Sequence, residues 1–114
     1  MVNKWDIRFC KLDPTQGSEQ KGTRPVLVVS NNAVNHVLPV STVLPLSALK
    51  PDDNLYPTEI ILKSEITGLP KDSIAMVQQI RTVAHSRLEP PSGYLNDMDS
   101  RLKILEVIRM YFEL

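Results

Sequence analysis

The sequence predicts a small, mainly β domain: a compact barrel or strongly bent sheet of about five to seven strands, with appended helices and one amphipathic helix at the C-terminus. Three observations carry this. Short apolar or alternating runs recur up to the Pro90–Pro91 pair, separated by Pro, Gly and Asn punctuation. A three- to four-residue periodicity dominates only the last segment, so there is no strand–helix alternation of the kind that builds a parallel sheet. The chain has 114 residues, which we read as one domain spanning 1–114. A domain of that size buries roughly two thirds of its unfolded surface without staples.

Trp5 to Leu12 alternates as a strand, with Trp5, Ile7 and Phe9 on one side and Asp6, Arg8 and Cys10 on the other. Pro25 to Ser30 is apolar without alternation until its last residue, the pattern of a strand buried on both faces. Asn31, Asn32 and Asn35 predict a polar turn or single helical turn, because their side chains compete for backbone hydrogen bonds. Val37 to Leu46 reads as a β-branched strand. Pro39 and Pro45 cannot donate to a ladder, so it is either short and central or partly at an edge.

Pro51 to Pro57 is a polar loop and Thr58 to Leu62 a short strand. Gly68, Pro70 and Asp72 make a turn, and Ser73 to Val83 reads as one further strand. Within it Gln78, Gln79 and Arg81 are polar in apolar surroundings, so they either pair strand ends or line a groove. A short helical turn is expected at Ser86 to Leu88, and Pro90, Pro91 and Gly93 are expected to break the chain. Asn96 to Phe112 is the helix: Met98, Leu102, Leu105 and Ile108 or Arg109 form the stripe, which Ile104 and Tyr111 or Phe112 widen. Asp97 and Asp99 suit its positive start.

Thirteen basic and thirteen acidic residues cancel, so no global field attracts nucleic acid or acidic membrane. Locally the balance is uneven. Met1 to Arg24 is enriched in Lys and Arg, and Pro51 to Asp72 in Asp and Glu. Were the first segment folded beside Arg81 and Arg87, one face would be basic enough for a short polyanion. The single cysteine, Cys10, excludes an internal disulfide and reads as a small core residue. A charged start without an apolar core, and no run near the roughly 20 residues that span a bilayer, predict a cytoplasmic protein without membrane contact. There is no phosphate-binding loop, dinucleotide fingerprint or paired metal ligands. His36 and His85 are isolated and read as exposed polar residues, so neither a metal nor a cofactor is expected.

The organising stretch is Asp13 to Ser30. It joins a polar loop with Pro14, Gly17 and Gly22 to a strand that can hold a side chain rigidly at its mouth. Pro25 fixes the backbone and keeps Arg24 extended, which projects the guanidinium from a defined point.

The block Asp13-Pro14-Thr15, Gly17-Ser18-Glu19-Gln20, Gly22-Thr23-Arg24-Pro25-Val26-Leu27-Val28-Val29-Ser30-Asn31 resembles the MazF/PemK toxins of bacterial toxin–antitoxin systems. Val43-Leu44-Pro45-Leu46-Ser47, Asp72-Ser73 and Gln79-Ile80-Arg81-Thr82-Val83 are similar to later blocks of that family, so the match covers nearly the whole chain. It implies an SH3-like small barrel of the CcdB/PemK kind. It also implies a homodimeric, metal-independent endoribonuclease that cuts single-stranded RNA, stops translation and growth, and is neutralised by a cognate antitoxin with an acidic, disordered tail. The family's catalytic arginine and hydroxyl fall on Arg24 and Ser47. Many members have threonine at the second position and glycine where this chain has Trp5.

The residues suit that chemistry. RNA supplies its own nucleophile, the 2′-hydroxyl, leaving the protein to deprotonate it, align it and neutralise the phosphorane. Arg24 would do the neutralising through its planar fork, being too basic to be a good proton donor. Ser47 would orient the phosphate, and Glu19 is the candidate base, its plainer role being to pair with a loop lysine or arginine. Gln20, Lys21, Thr23, Gln79 and Arg81 are the expected RNA contacts. Two alternatives stay open: a CcdB-like gyrase poison, disfavoured because the only tryptophan is Trp5 and the tail ends Tyr111-Phe112-Glu113-Leu114, and a non-catalytic RNA-binding barrel.

Overall fold

The computed structural model describes residues 1–114 and contains β1 (Asp6–Lys11), β2 (Thr23–Val28), α1 (Asn32–Asn35), β3 (Val40–Ala48), β4 (Glu59–Leu62), α2 (Ser64–Thr67), β5 (Ser73–Met76), β6 (Arg81–Ala84), β7 (Leu88–Tyr94) and α3 (Met98–Phe112). The seven strands form one antiparallel sheet in the order β4-β5-β3-β2-β1-β7, with β6 paired to β3 off that path. The result is a bent, barrel-like sheet that stays open, since β4 and β7 do not meet.

β3 is the hub. On one side Val43 to Pro45 pair with β2; on the other, Val40 to Val43 pair with β6 and Leu46 to Ala48 with β5. Leu44 and Pro45 fall in the gap where one neighbour hands over to the next. That reconciles a proline with a central strand, because no ladder on that side asks it for a donor.

Each face of the sheet carries its own core. Ile7, Leu27, Leu44, Leu46, Ala75 and Val77 pack with Ile104 and Val107 of α3; Cys10, Leu12, Val26, Val28, Val43 and Val83 form a smaller cluster. Val26, Leu27 and Val28 are fully buried, as their unbroken apolar run predicts. In β1 the alternation is real but both sides are buried. Asp6 and Arg8 tolerate this as an ion pair at 2.9 Å, with the guanidinium also donating to the carbonyls of Met1 (2.8 Å) and Glu89 (3.2 Å). A buried pair is acceptable only when its remaining donors are satisfied, and here they pin the N-terminus and β7 to β1.

Three expectations need correction. Ser73 to Val83 is not one strand: a 3₁₀ turn at Val77–Gln79 divides β5 from β6 and lets the two pair with different halves of β3. Pro90, Pro91 and Gly93 do not break the chain but lie in β7, an edge strand whose register to β1 shifts on either side of the Arg8–Pro91 pair. An edge position spares a proline its missing donor. Gly93 is needed there because a β-carbon would collide with the carbonyl oxygen of Thr67, in α2, a helical turn that the sequence reading did not assign.

The third concerns α3. Ile104, Leu105 and Ile108 of the expected stripe pack on the core, joined by Val107, whereas Met98 and Leu102 of that stripe are 59% and 57% exposed. Apolar residues surround this helix, so spacing alone does not choose the buried face. Tertiary contacts choose it: the Arg101 guanidinium lies 5.3 Å from the rings of both Trp5 and Tyr94, and Arg101 Nε donates to Leu95 O at 2.7 Å. Trp5 adopts φ 75°, a left-handed conformation that glycine takes freely and a bulky residue rarely does. Its backbone is held on both sides, by Trp5 N to Val28 O at 2.7 Å and Leu95 N to Trp5 O at 2.9 Å. Trp5 therefore belongs to the α3 packing.

Candidate functional site

The loop of residues 12–22 leaves β1 and returns as β2, folding over the sheet face that carries the smaller core. Its sequence makes a self-braced turn: Gln16 N donates to Glu19 Oε1 at 2.7 Å and Glu19 N to Gln16 O at 3.1 Å. Glu19 thus braces its own loop instead of pairing with a loop lysine or arginine. Gly22 has φ 76°, the turn that brings its carbonyl to Leu12 N at 3.0 Å.

Side chains from the segment after β5 tie this loop down. Gln79 accepts from Gln20 N at 3.3 Å and donates to Ser18 O at 3.2 Å. Arg81 donates to Leu12 O at 3.1 Å, and Arg87 donates to the carbonyls of Lys11 (3.1 Å) and Asp13 (2.5 Å). The N-terminal basic segment therefore does lie beside Arg81 and Arg87. Burial pushes the Cys10 thiol above its ordinary value while these two guanidinium groups pull the other way. Gln79 and Arg81 line a groove and also hold backbone, so both alternatives left by the sequence apply. Arg87 emerges as a third anchor, signalled beforehand only by its charge.

Arg24 sits opposite Cys10 in the β1–β2 ladder, and its Nε donates to Lys21 O at 2.8 Å. The two terminal nitrogens have no hydrogen bond, and Arg24 joins neither ion pair of the protein, Arg8–Asp6 or Lys63–Asp72. The β2–β3 ladder ends at Val26 opposite Pro45, so Arg24 and Ser47 each lie two residues beyond the last pair, on the same face. Arg81, opposite Val43, shares that face. The half-buried Ser47 hydroxyl has no internal partner. A guanidinium end and a hydroxyl are thus left without protein partners at the open end of the ladder.

Beside them, a polar pocket of about 420 Å³ lies between the loop and the 3₁₀ turn, walled by Glu19, Gln20, Pro45, Gln78, Gln79 and Arg81 among others. Gln78 is fully engaged, accepting from Thr58 Oγ1 at 2.7 Å and donating to Glu59 Oε2 at 2.8 Å. Lys21 and Thr23 are exposed at the loop's return, outside the pocket wall. The histidines are elsewhere: His36 is exposed, and half-buried His85 bonds Ser41 Oγ at 2.7 Å in a structural network with Asn35. No helix is long and apolar enough to cross a membrane.

Comparison with known proteins gives a consistent result. Residues 3–110 match the sequence profile of the PemK-like, MazF-like toxins of type II toxin–antitoxin systems. A protein named endoribonuclease MazF from Staphylococcus saprophyticus is 33% identical over 97 residues, 85% of this chain and 80% of that protein. Among solved structures, Mycobacterium tuberculosis toxin MazF-mt6 superposes with a TM-score of 0.77 at 24% identity, covering 96% of this chain and 97% of that one. An endoribonuclease from a mycobacterial species, solved with its cognate antitoxin, reaches 0.79 at 19% identity over 100% and 97%. The structural likenesses establish the fold, and with the profile spanning nearly the whole sequence, the chain belongs to the PemK-like, MazF-like toxins of type II toxin–antitoxin systems.

Proposed function

We propose that this toxin is a sequence-specific endoribonuclease that cleaves single-stranded RNA without a metal ion, leaving 2′,3′-cyclic phosphate and 5′-hydroxyl ends and so arresting translation and growth. The observation that carries the reading is the free Arg24 guanidinium end and the free Ser47 hydroxyl on the same sheet face, two residues beyond the last β2–β3 pair, with Arg24 in no ion pair. Arg24 stabilises the charge that develops on the phosphorane, in the manner of an oxyanion donor. Ser47 orients a non-bridging oxygen. Glu19 is the base in this scheme; one of its oxygens carries Gln16 N–H and the other remains to take the 2′-hydroxyl proton.

A strand of RNA needs a longer groove than one such chain provides, and a homodimer would extend it. The outer face of α3, where Met98, Leu102 and Phe112 are exposed, is the apolar surface this assembly would cover. A cognate antitoxin with an acidic, disordered segment would compete with RNA for the basic groove. The setting is cytoplasmic, where RNA is made and the Cys10 thiol stays reduced.

The test is cleavage of mixed-sequence single-stranded RNA in EDTA, beside Arg24→Ala and Ser47→Ala. Discrete cuts with cyclic phosphate ends, lost in the Arg24 variant, are expected. Absence of cutting by folded, antitoxin-free protein would overturn the assignment in favour of a gyrase-directed or binding role.

A further inference from the structure

The main-chain carbonyls of Lys11, Leu12 and Asp13, at the root of the β1–β2 loop, are each held by a guanidinium. Arg87 Nη1 donates to Lys11 O at 3.1 Å and to Asp13 O at 2.5 Å, and Arg81 Nη1 donates to Leu12 O, between them, at 3.1 Å. Arg87 ends the 3₁₀ turn His85–Arg87 that enters β7, and it lies 76 and 74 residues along the chain from the two carbonyls it holds. It joins neither ion pair of the protein, so its donors are spent on backbone. A guanidinium suits this, because its N–H groups are fixed in a plane and can serve more than one acceptor without loss of geometry.

What this clamp fixes reaches Arg24. Leu12 N donates to Gly22 O at 3.0 Å and closes the loop one step past the last β1–β2 pair, Lys11 with Thr23. Gly22 follows Lys21, and Lys21 O receives Arg24 Nε at 2.8 Å. The Arg24 guanidinium is therefore aimed from the returning limb of the loop, and the clamped limb places the returning one. Resting on the ribonuclease reading above, we infer that Arg87 is a positioning residue for Arg24: it holds the loop root where Lys21 O turns the free end of Arg24 toward the reacting phosphate. Arg87 itself touches no reacting atom in this scheme. A misplacement of about 1 Å in a catalytic group costs up to about a hundredfold in rate. Arg24 acts on charge that develops in the transition state, so the loss falls on kcat and not on KM.

The experiment is a double-mutant cycle on a single-stranded RNA that the wild type cuts, with Arg87→Ala made alone and on Arg24→Lys. Lysine keeps the charge and lacks the Nε that ties the side chain to Lys21 O, so in that background the aim no longer runs through the loop root. Alone, Arg87→Ala should lower kcat about ten- to a hundredfold with KM changed by about twofold at most; added to Arg24→Lys, it should cost about twofold or less. A role confined to stability would lower the rate by the same factor in both backgrounds, and that result overturns the proposal, as does a loss in KM alone or no loss. Should Arg87→Ala fail to fold, Arg87→Met, which keeps the apolar stem and deletes the donors, runs the same cycle with the same outcomes. Should Arg24→Lys cut too slowly to time, the Arg24 Nε–H resonance in nitrogen-15 NMR reads the coupling directly: it should move in Arg87→Met, and an unmoved resonance overturns the proposal. A wild type that cuts nothing overturns the ribonuclease reading itself, whereas cutting with equal losses in both backgrounds overturns only the positioning role.

Discussion

The two faces of the sheet are held by different physics. On the α3 side, Ile104 and Val107 bury themselves against Ile7, Leu27, Leu44 and Leu46, and the stabilisation is area removed from water. On the loop side, a smaller apolar cluster is covered by a loop that long polar side chains tie down at Lys11, Leu12, Asp13, Ser18 and Gln20. An apolar lid would have covered the charged groups beside it; a tethered polar lid leaves Arg24 and Ser47 free and a pocket open next to them. The difference teaches that the larger apolar packing and the unengaged polar groups are assigned to opposite faces.

That division can be tested by damaging one face at a time. Arg24→Ala should lower the cleavage rate about 10²–10³-fold, the usual effect of deleting a charge-stabilising donor, with little change in the denaturant midpoint. Ile104→Ala should do the reverse, costing about 2–5 kcal/mol in chemical denaturation while the folded fraction keeps its specific activity. If either variant moves both readouts equally, the faces are not separable.

Gln79→Ala sharpens the comparison on the loop side alone. Removing both of its tethers should cut the rate about ten- to a hundredfold through misplacement of the loop, with a small stability loss because each exposed hydrogen bond contributes little. Single-turnover kinetics together with denaturation would separate the two.

The smallest effect is expected at the start of α3. The Ser100 hydroxyl and backbone N–H bond Asp97 and hold its carboxyl below the ordinary value. A carboxylate whose folded pKa is depressed stabilises above its unfolded pKa and loses that contribution as pH falls through the folded one. Helicity at α3 should therefore fray as pH drops below roughly 4, the ordinary aspartate range. Asp97→Asn, which keeps the capping oxygen, should remove this pH dependence in melts followed by circular dichroism. A cleavage rate at neutral pH altered by this variant would show that the α3 face reaches the site after all.

Much of this was legible. The buried β2 strand, the polar α1 turn, the β4 strand and the Asp97 cap follow from local pattern, and the block around Arg24–Pro25 pointed to the family through its resemblance to the MazF/PemK toxins. Other features were not. The division of residues 73–83 depends on which half of β3 each piece meets, and β7 survives its prolines only because it lies at an edge. The unusual conformation of Trp5 is set by contacts with Val28 and Leu95, neither adjacent in sequence.

What the sequence determined by itself is what short-range physics decides: strand and helix propensities, turns, capping, and the presence of an arginine held extended by a following proline. Tertiary structure alone decided that Met98 and Leu102 of the α3 stripe stay outside, that Glu19 braces its own loop, and that Gln79 is occupied while the Gln20 oxygen is not. The physical reason is that hydrogen bonds and burial are allotted by competition among groups up to several tens of residues apart. Gln20 and Gln79 are alike in sequence, and only the fold gives one of them its partners and leaves the other with an open oxygen.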